Sequence, residues 1–299
     1  MRASLRMLRY VVAAADAGSV TEGARALHVS QAAVSAAIAQ LEAMAEFSIF
    51  VRHHAKGMSL TDAGARLMHE ARGLLAHGDA FNRSMASMGG APTGEIAVGC
   101  FVTLAARFMP SLLSDFATLY PGITVRLQEG DQADIVAGLQ SGRLEVALSY
   151  DFALPPEVAG DVLTRLPPHV LVAADHRLAG AASVPLRAFE DEPFLLLDLP
   201  LSVDYFAGLF ASCGVQPRIA MRTPSFELIR GMVARGHGYT IHNVLPRTRM
   251  TYDGGEVAAL PIQEDLAPVQ VMRLRLARMG MRPAVAAFWG FLEGAFGAA

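Results

Sequence analysis

Cysteine is nearly absent: Cys100 and Cys213 are the only two in 299 residues. That excludes a disulfide framework and fits a reducing cytoplasm. Long apolar runs are missing too. No stretch reaches the roughly 18 uninterrupted apolar residues that a membrane span needs, although 53% of the chain is hydrophobic and can supply real cores. The opening MRASLRMLRYVVAAADAGS sets basic residues before an apolar stretch, as a secretory leader does. Arg6 and Arg9 interrupt it and Asp16 follows, so it reads instead as an amphipathic helix. Positive charge is scarce. Up to Gly89 there are nine Lys or Arg against seven Asp or Glu, and beyond it sixteen against twenty-one. A weakly basic head on an acidic body suits nucleic-acid binding only if heads cooperate, because few phosphate contacts give modest, salt-sensitive affinity. No nucleophile elbow, glycine-rich phosphate loop or HExxH occurs. Cys100 or Cys213 with His237 or His242 could be imagined as nucleophile and base, but without such a pattern no enzyme is expected. His53 and His54 are adjacent rather than at ligand spacing and lack a Cys or Asp companion, so no metal and no cofactor are expected.

What is present begins at residues 19–50, SVTEGARALHVSQAAVSAAIAQLEAMAEFSIF. Ser19 with Glu22 three residues on is a capping box: the hydroxyl takes an orphan amide and the carboxylate reaches back to the Ser19 amide. A helix therefore starts near Val20. It runs through Ala24 and Leu27 and stops at His28 and Val29, where Ser30 caps a second helix. In that second helix Val34, Ile38 and Leu41 form one buried stripe, while Gln31, Ser35 and Gln40 lie on the other face. Two short helices joined so tightly, with small polar residues opening the second, meet what entry into the DNA major groove requires. A plain helical hairpin is the bland alternative. Ile49 and Phe50 then lead into Arg52, His53, His54, Ala55, Lys56 and Gly57 before Met58, Ser59 and Leu60. Two short strands around a basic turn make a wing whose cations would lie along the phosphate backbone.

Leu5, Leu8, Val11 and Val12 give the first helix an apolar face to pack under this pair. After the wing, Thr61 caps a helix running to about Met88. Leu67, Ala71, Leu74, Gly78, Phe81, Met85 and Met88 alternate at spacings of four and three, a heptad seam. At about 27 residues the helix spans roughly 40 Å, more than the head can cover, so a dimerising role is expected. Gly73 and Gly78 each weaken it by up to about 1 kcal/mol. GGAPTG at 89–94 has hinge composition. Strands and helices alternate beyond it: strand 95–100, helix 103–120 containing Pro110, strand 123–129, helix 131–140 and strand 145–150. A second run follows from 169, with strands at 194–198 and 218–222, helices at 204–212 and 226–234, and a strand at YTIH. A strand at 269–274 and a helix at 284–296 close the chain. Such alternation predicts an α/β fold with helices on both faces of a sheet and parallel neighbours favoured.

Several of these stretches carry a family resemblance. Leu8, SVTEGARALHVSQAAVS, LE at 41–42, IF at 49–50, Arg52 and SLTDAG at 59–64 resemble the winged helix-turn-helix of LysR-type transcriptional regulators. GEIAVG, FMPSLLSDFATLYPGITVRLQEG, LQSGRLEVALS, HVLVAADHRLA and LIRGMVARGHGYTIH resemble that family's effector-binding domain, a two-lobed fold like type 2 periplasmic solute-binding proteins. The resemblance implies a winged helix-turn-helix at 1–61, a linker helix at 62–89 and an effector domain at 93–299. One lobe would hold 93–162 and 267–299 and the other 163–266, joined by two crossing strands. It implies a cytoplasmic homodimer or homotetramer that binds double-stranded promoter DNA and a small organic effector, with RNA polymerase as a further candidate partner and no membrane. A cysteine-based redox-responsive regulator is the alternative, ahead of a solute-binding module or an enzyme.

Carried onto matching positions, the DNA contacts are Thr21, Ser30, Gln31, Ala33, Ser35 and Gln40 in the head, with Arg52, His54 and Lys56 in the wing. Three departures bear on them. Ala32 replaces the usual proline, Ala36, Ala37 and Gln40 stand where longer polar residues are common, and Glu46 replaces the glycine of a left-handed helix exit. For the effector, ligands of open α/β sheets bind beyond the carboxyl ends of strands, here after Cys100, Glu129, Tyr150, Asp198, Arg222 and Ile241. The candidates are Cys100, Phe101, Thr103, Gln132, Ser149, Ser202, Arg222, Thr223, Ser225 and Asn243. By the resemblance Thr103 offers a hydroxyl to the effector, and Gln132, Thr223, Ser225 and Asn243 match other cleft positions. Each hydroxyl could equally serve as a helix cap alone. Hydroxyls at helix starts suit a small carboxylate, which Arg222 could pair bidentately, while Glu129, Asp151 and Asp198 oppose an anion. Phe101, Tyr205 and Phe226 could wall an aryl or indole-like effector.

Overall fold

A computed structural model describes residues 3–53, 57–86 and 92–297. In the head each helix starts where a side chain takes an orphan amide. Ser4 accepts from Met7 N (3.2 Å) at α1, Leu5–Ala17; Ser19 accepts from Glu22 N (3.4 Å) at α2, Val20–Ala26; Ser30 accepts from Ala33 N (3.2 Å) at α3, Gln31–Ala45. The reciprocal half of the capping box is not made. Glu22 instead accepts from Arg25 at 2.7 Å, and the Ser19 amide donates to the Ala14 carbonyl at 3.2 Å. Strands β1, Phe50–His53, and β2, Gly57–Leu60, pair antiparallel with Phe50 opposite Leu60. Thr61 accepts from Gly64 N at 2.9 Å and opens α4, Asp62–Ala86.

Val34, Ile38 and Leu41 are buried, packed with Leu8, Val11 and Val12 of α1. Burial of side chains this size contributes about 1.5–3 kcal/mol each. Gly23 lets α2 cross α1 closely: a Cβ there would sit 2.7 Å from Ala14 Cα. Two expectations fail in detail. Leu5 is 44% exposed, off the buried stripe. On α4, Met68 and Ala71 belong to the head's own core with Leu67 and Leu75 against it, while Leu74 is 53% exposed. The side chains of Phe81 and Met85, and all of Met88, lie outside the described residues.

The main break in the chain falls between Ala91 and Pro92. The second unit runs β3 (Gly94–Phe101), α5 (Val102–Leu119), β4 (Ile123–Gly130), α6 (Gln132–Gln140), β5 (Val146–Tyr150), β6 (Val158–Leu166), β7 (His169–Ala173) and β8 (Pro193–Leu197). It continues with α7 (Ser202–Ser212), β9 (Arg218–Thr223), α8 (Phe226–Ala234), β10 (Thr240–His242), β11 (Val257–Pro261), β12 (Val269–Leu276) and α9 (Pro283–Gly297). One lobe is a five-stranded sheet in the order β4-β3-β5-β12-β6, parallel among the first three and antiparallel at β12. The other lobe holds β10-β7-β11, antiparallel, and the parallel pair β8-β9. Tyr239 joins these last two sheets, its amide donating to Pro193 O at 2.9 Å and its carbonyl accepting from Leu195 N at 2.8 Å.

Strands β6 and β11 were not expected. β6 is an edge strand whose exposed residues, Asp161, Val162 and Arg165, fall at no regular spacing, and β11 is a short edge strand with two of its five residues exposed. β6 stays paired to β12 through Leu166 opposite Val269, so the chain leaves this sheet after Leu166.

Glu46 keeps the left-handed exit from α3, with φ +60° and its amide donating to Glu42 O at 2.9 Å, despite carrying a Cβ. Below it, the Glu42 carboxylate accepts from Ile49 N (2.7 Å) and Phe50 N (3.3 Å), fixing where β1 begins. A Cβ in this conformation costs about 1 kcal/mol, and a carboxylate at a helix C-terminus opposes the dipole. Glu46→Gly should therefore stabilise the head by about 1 kcal/mol, read as a higher urea midpoint; an unchanged or lower midpoint would contradict the assigned strain.

Candidate functional site

Two surfaces have the chemistry of a site, one in each unit. On the head, Thr21 is exposed at the start of α2, and Gln31 and Gln40 are exposed on α3 with Ser35 half-buried between them. Ser30 uses its hydroxyl as the α3 cap. Ala33 is half-buried and Ala37 is in the core, so only part of the expected face is presented. Arg52 sits on β1 with its side chain outside the described residues, as are His54 and Lys56 altogether.

In the second unit a half-open cavity with about 30 Å³ of internal space lies between the lobes, and Thr103, Phe226 and Val244 border both it and a wider groove beside it. Phe101, Thr103, Tyr150, Phe152 and Val269 line the cavity from one side. Leu197, Ser202, Tyr205, Phe206, Phe226, His242, Asn243 and Val244 line it from the other. Aromatic rings run across the junction, with centroids 4.8 Å apart for Phe101 and Tyr150, 5.2 Å for Tyr150 and Phe152, and 5.5 Å for Phe152 and Tyr205. Polar groups thread between them. Thr103 Oγ1 and Tyr150 Oη share a hydrogen bond at 2.8 Å, and Asn243 Nδ2 donates to Tyr205 Oη at 2.7 Å and to Leu166 O at 3.0 Å. Burial pushes the Tyr205 phenol up to about 12 and Tyr150 higher still, so both stay neutral donors.

Four of the ten expected effector residues meet here: Phe101, Thr103, Ser202 and Asn243. Neither hydroxyl is a cap. The residue before α5 is Phe101 and the residue before α7 is Leu201, so Thr103 and Ser202 stand inside their helices and turn their hydroxyls to other uses. The other six do not line the cavity. Cys100 is buried, its thiol directed at Phe101 O at 3.6 Å, and burial, then Glu129, hold that thiol well above its ordinary range. Ser149 donates to Gln132 Oε1 at 2.6 Å and Gln132 Nε2 donates to the Tyr150 and Phe152 carbonyls at 3.1 and 3.0 Å, an internal brace behind the wall. Thr223 and Ser225 take local amides, from Ser225 N at 3.2 Å and Leu228 N at 3.3 Å, which is turn and cap work. Ser225 also borders a wider neighbouring groove of about 1000 Å³. Arg222 is half-exposed, 4.0 Å from Asp198, and lines a separate apolar groove with Phe194 and Ile219.

Tyr150, Phe152 and His242 were missed as lining residues. The first two end or follow β5, where the strand-end rule does point, but an aromatic in a VALSYDF run reads as core. His242 ends β10 one residue past the expected strand end.

Family models match both units: the bacterial regulatory helix-turn-helix protein of the lysR family over residues 5–65, and the LysR substrate binding domain over residues 89–297. The chain belongs to the LysR family of transcriptional regulators. Among its relatives, the HTH-type transcriptional regulator TcbR of Pseudomonas sp. (strain P51) is 33% identical over 222 residues, 72% of this chain and 74% of TcbR. The crystal structure of HinK, a LysR family transcriptional regulator from Pseudomonas aeruginosa, aligns over 100% of both chains at 33% identity with a TM-score of 0.67. Full-length CbnR in complex with its target DNA has the same fold, at 24% identity and a TM-score of 0.67 over 98% of this chain and 100% of that one. The LysR substrate binding domain is thus the frame for the cavity. No helix among the described residues is long and apolar enough to cross a membrane, and no cluster of metal-binding side chains occurs among them.

Within this LysR-family cavity His242 stands apart. Its ring stacks on Phe226 at 4.3 Å, and burial, then the nearby Arg230, lower its pKa to about 3. The unfolded chain takes up this proton below about pH 6.5, while the folded chain withholds it, so stability falls as pH drops toward 3. Between about pH 7 and pH 5 the loss should be about 2 kcal/mol. Chemical denaturation of wild type and His242→Leu at both pH values tests it: the variant should lose that much less, and equal losses would place the titration elsewhere.

Proposed function

We propose that this LysR-family regulator binds promoter DNA through the paired faces of two heads and that a small organic molecule in the inter-lobe cavity changes that binding. The family establishes a DNA-binding regulator with an effector-binding domain. The observation carrying the finer reading is the cavity itself: Thr103 and Ser202, from opposing lobes, converge on one aromatic-walled space without serving as caps. An internal volume of about 30 Å³ is well short of the about 150 Å³ of a cavity that holds benzene. A ligand must therefore part the lobes or their side chains, which is the change a switch needs.

The carboxylate expected from helix-start hydroxyls loses its partner cation, since Arg222 lies outside the cavity. The redox alternative draws little support: burial raises both thiols, Cys213 as well as Cys100, whereas a reactive cysteine needs a lowered pKa. We take 1–61 as the head, 62–89 as the linker helix and 93–299 as the effector domain. The exposed Leu74 on α4 is consistent with a second copy packing there, giving a homodimer or a pair of dimers.

Gln31→Ala and Ser35→Ala should reduce discrimination between operator and mutated operator, while Arg52→Ala and Lys56→Ala should weaken binding to both and lower its salt dependence by about one counterion each. Binding isotherms across salt concentrations separate the two classes; identical behaviour of all four would refute the division. Thr103→Val and Ser202→Ala should blunt the effector response about tenfold, the worth of one buried hydrogen bond, and leave effector-free DNA affinity unchanged. A loss of DNA affinity without effector would contradict this.

A further inference from the structure

His242 is 2% exposed, lines the cavity, and neither of its ring nitrogens has a hydrogen-bond partner. Buried polar atoms are nearly always paired, and leaving one unpaired costs about 1–3 kcal/mol. Nothing in the fold of β10 requires an imidazole at this place, since its neighbour in the strand, Ile241, is buried without one. An uncharged imidazole presents one N–H donor and one acceptor lone pair on the same ring. A carboxylate matches only the donor and an ammonium only the acceptor. A hydroxyl, which both gives and takes a hydrogen bond, matches either nitrogen.

The remaining lining agrees. Among the residues lining the cavity there is no Lys, Arg, Asp or Glu. Arg230, which bears on His242, lines the neighbouring groove and is held by Glu227 at 2.6 Å, and Asp151 bears on Tyr205. Because Asn243 Nδ2 donates into Tyr205 Oη, the Tyr205 hydroxyl hydrogen stays available to an acceptor in the cavity. Phe101, Phe152 and Phe226 supply ring faces for an aromatic guest, which prefers offset or edge-on neighbours at the spacings these rings already keep.

Resting on the effector reading above, we propose that this cavity selects an uncharged aromatic molecule bearing a hydroxyl, with His242 as the side chain that reads that hydroxyl. Phenol is the simplest such molecule. A cavity that holds benzene measures about 150 Å³, so a guest of that size needs the lining side chains to move apart.

Calorimetric titration of the full-length protein at neutral pH with phenol and with benzoate tests this, using wild type, His242→Leu and His242→Gln. Wild type should bind phenol more tightly than benzoate. His242→Leu should weaken phenol about tenfold and His242→Gln, which keeps a donor and an acceptor, should hold it within about threefold of wild type. Benzoate binding as tightly as phenol, phenol affinity unchanged in His242→Leu, or no phenol binding up to its solubility overturns the proposal. If His242→Leu does not fold, the wild-type comparison and His242→Gln still decide. DNA binding read in the same samples separates this inference from the effector reading. A bound phenol that leaves DNA affinity untouched refutes the effector role but not the selection, and a carboxylate that binds and alters DNA affinity refutes the selection but not the role.

Discussion

Asn243 commits both hydrogens of its amide at the junction of the two lobes. One goes to the carbonyl of Leu166, the last residue of the edge strand in the first lobe, and the other to the Tyr205 hydroxyl in the second. Around that fork the junction is apolar and ring-filled, and one cross-lobe contact, Phe152 on Tyr205, is aromatic on both sides. Each such bond adds only about 0.5–1.5 kcal/mol net. The joint therefore rests on a few modest bonds. Larger, rigid contacts lie away from it: the Arg282 guanidinium is buried on Glu145 at 2.6 Å, tying the last helix to the first sheet, and Arg273 pairs with Asp161 at 2.8 Å. Breaking the Arg282–Glu145 pair, buried on both sides, costs several kcal/mol, whereas Asp161 is largely exposed.

The head solves a different problem. Its three helices and wing bury one small core, and the polar groups that remain are set by caps: Ser4, Ser19, Ser30 and Thr61 each take a helix-start amide, and Glu42 takes the two amides that begin the wing. A Cβ on Gly64 would lie 2.1 Å from Ile49 O, so the glycine lets α4 start against the wing strand. These fixed points orient α3 with Gln31 and Gln40 outward, without relying on many charges. That suits a chain whose head carries so small an excess of cations.

Most of this was legible in the sequence where one physical rule dominates. Caps and the Val34, Ile38, Leu41 stripe are local, so spacing alone located α2 and α3 closely. Strands with continuous apolar runs, β3, β5 and β8, were equally plain. Edge strand β6 and short β11 were not, because partial exposure removes the pattern that marks a strand. The seam on α4 was misassigned in part because a heptad stripe reads the same whether it packs on its own head, as Ala71 does, or on another chain. For the cavity, hydroxyls could be placed but not aimed. Ser225 and Ser202 look alike in sequence, and only the backbone position of the helix start separates a cap from a cavity-lining group. His242 was missed as a lining residue for a related reason: an unpaired imidazole is a property of its surroundings and not of its neighbours in the chain.

The account stands on one coupling, between occupancy of the inter-lobe cavity and the way the heads hold DNA. Its most direct measurement is a titration of the full-length protein onto its own upstream DNA, with and without a saturating small molecule whose binding is weakened by Thr103→Val. The account predicts a shift in affinity or in the protected bases when the molecule is present. Superimposable isotherms and footprints with the cavity demonstrably filled would contradict it.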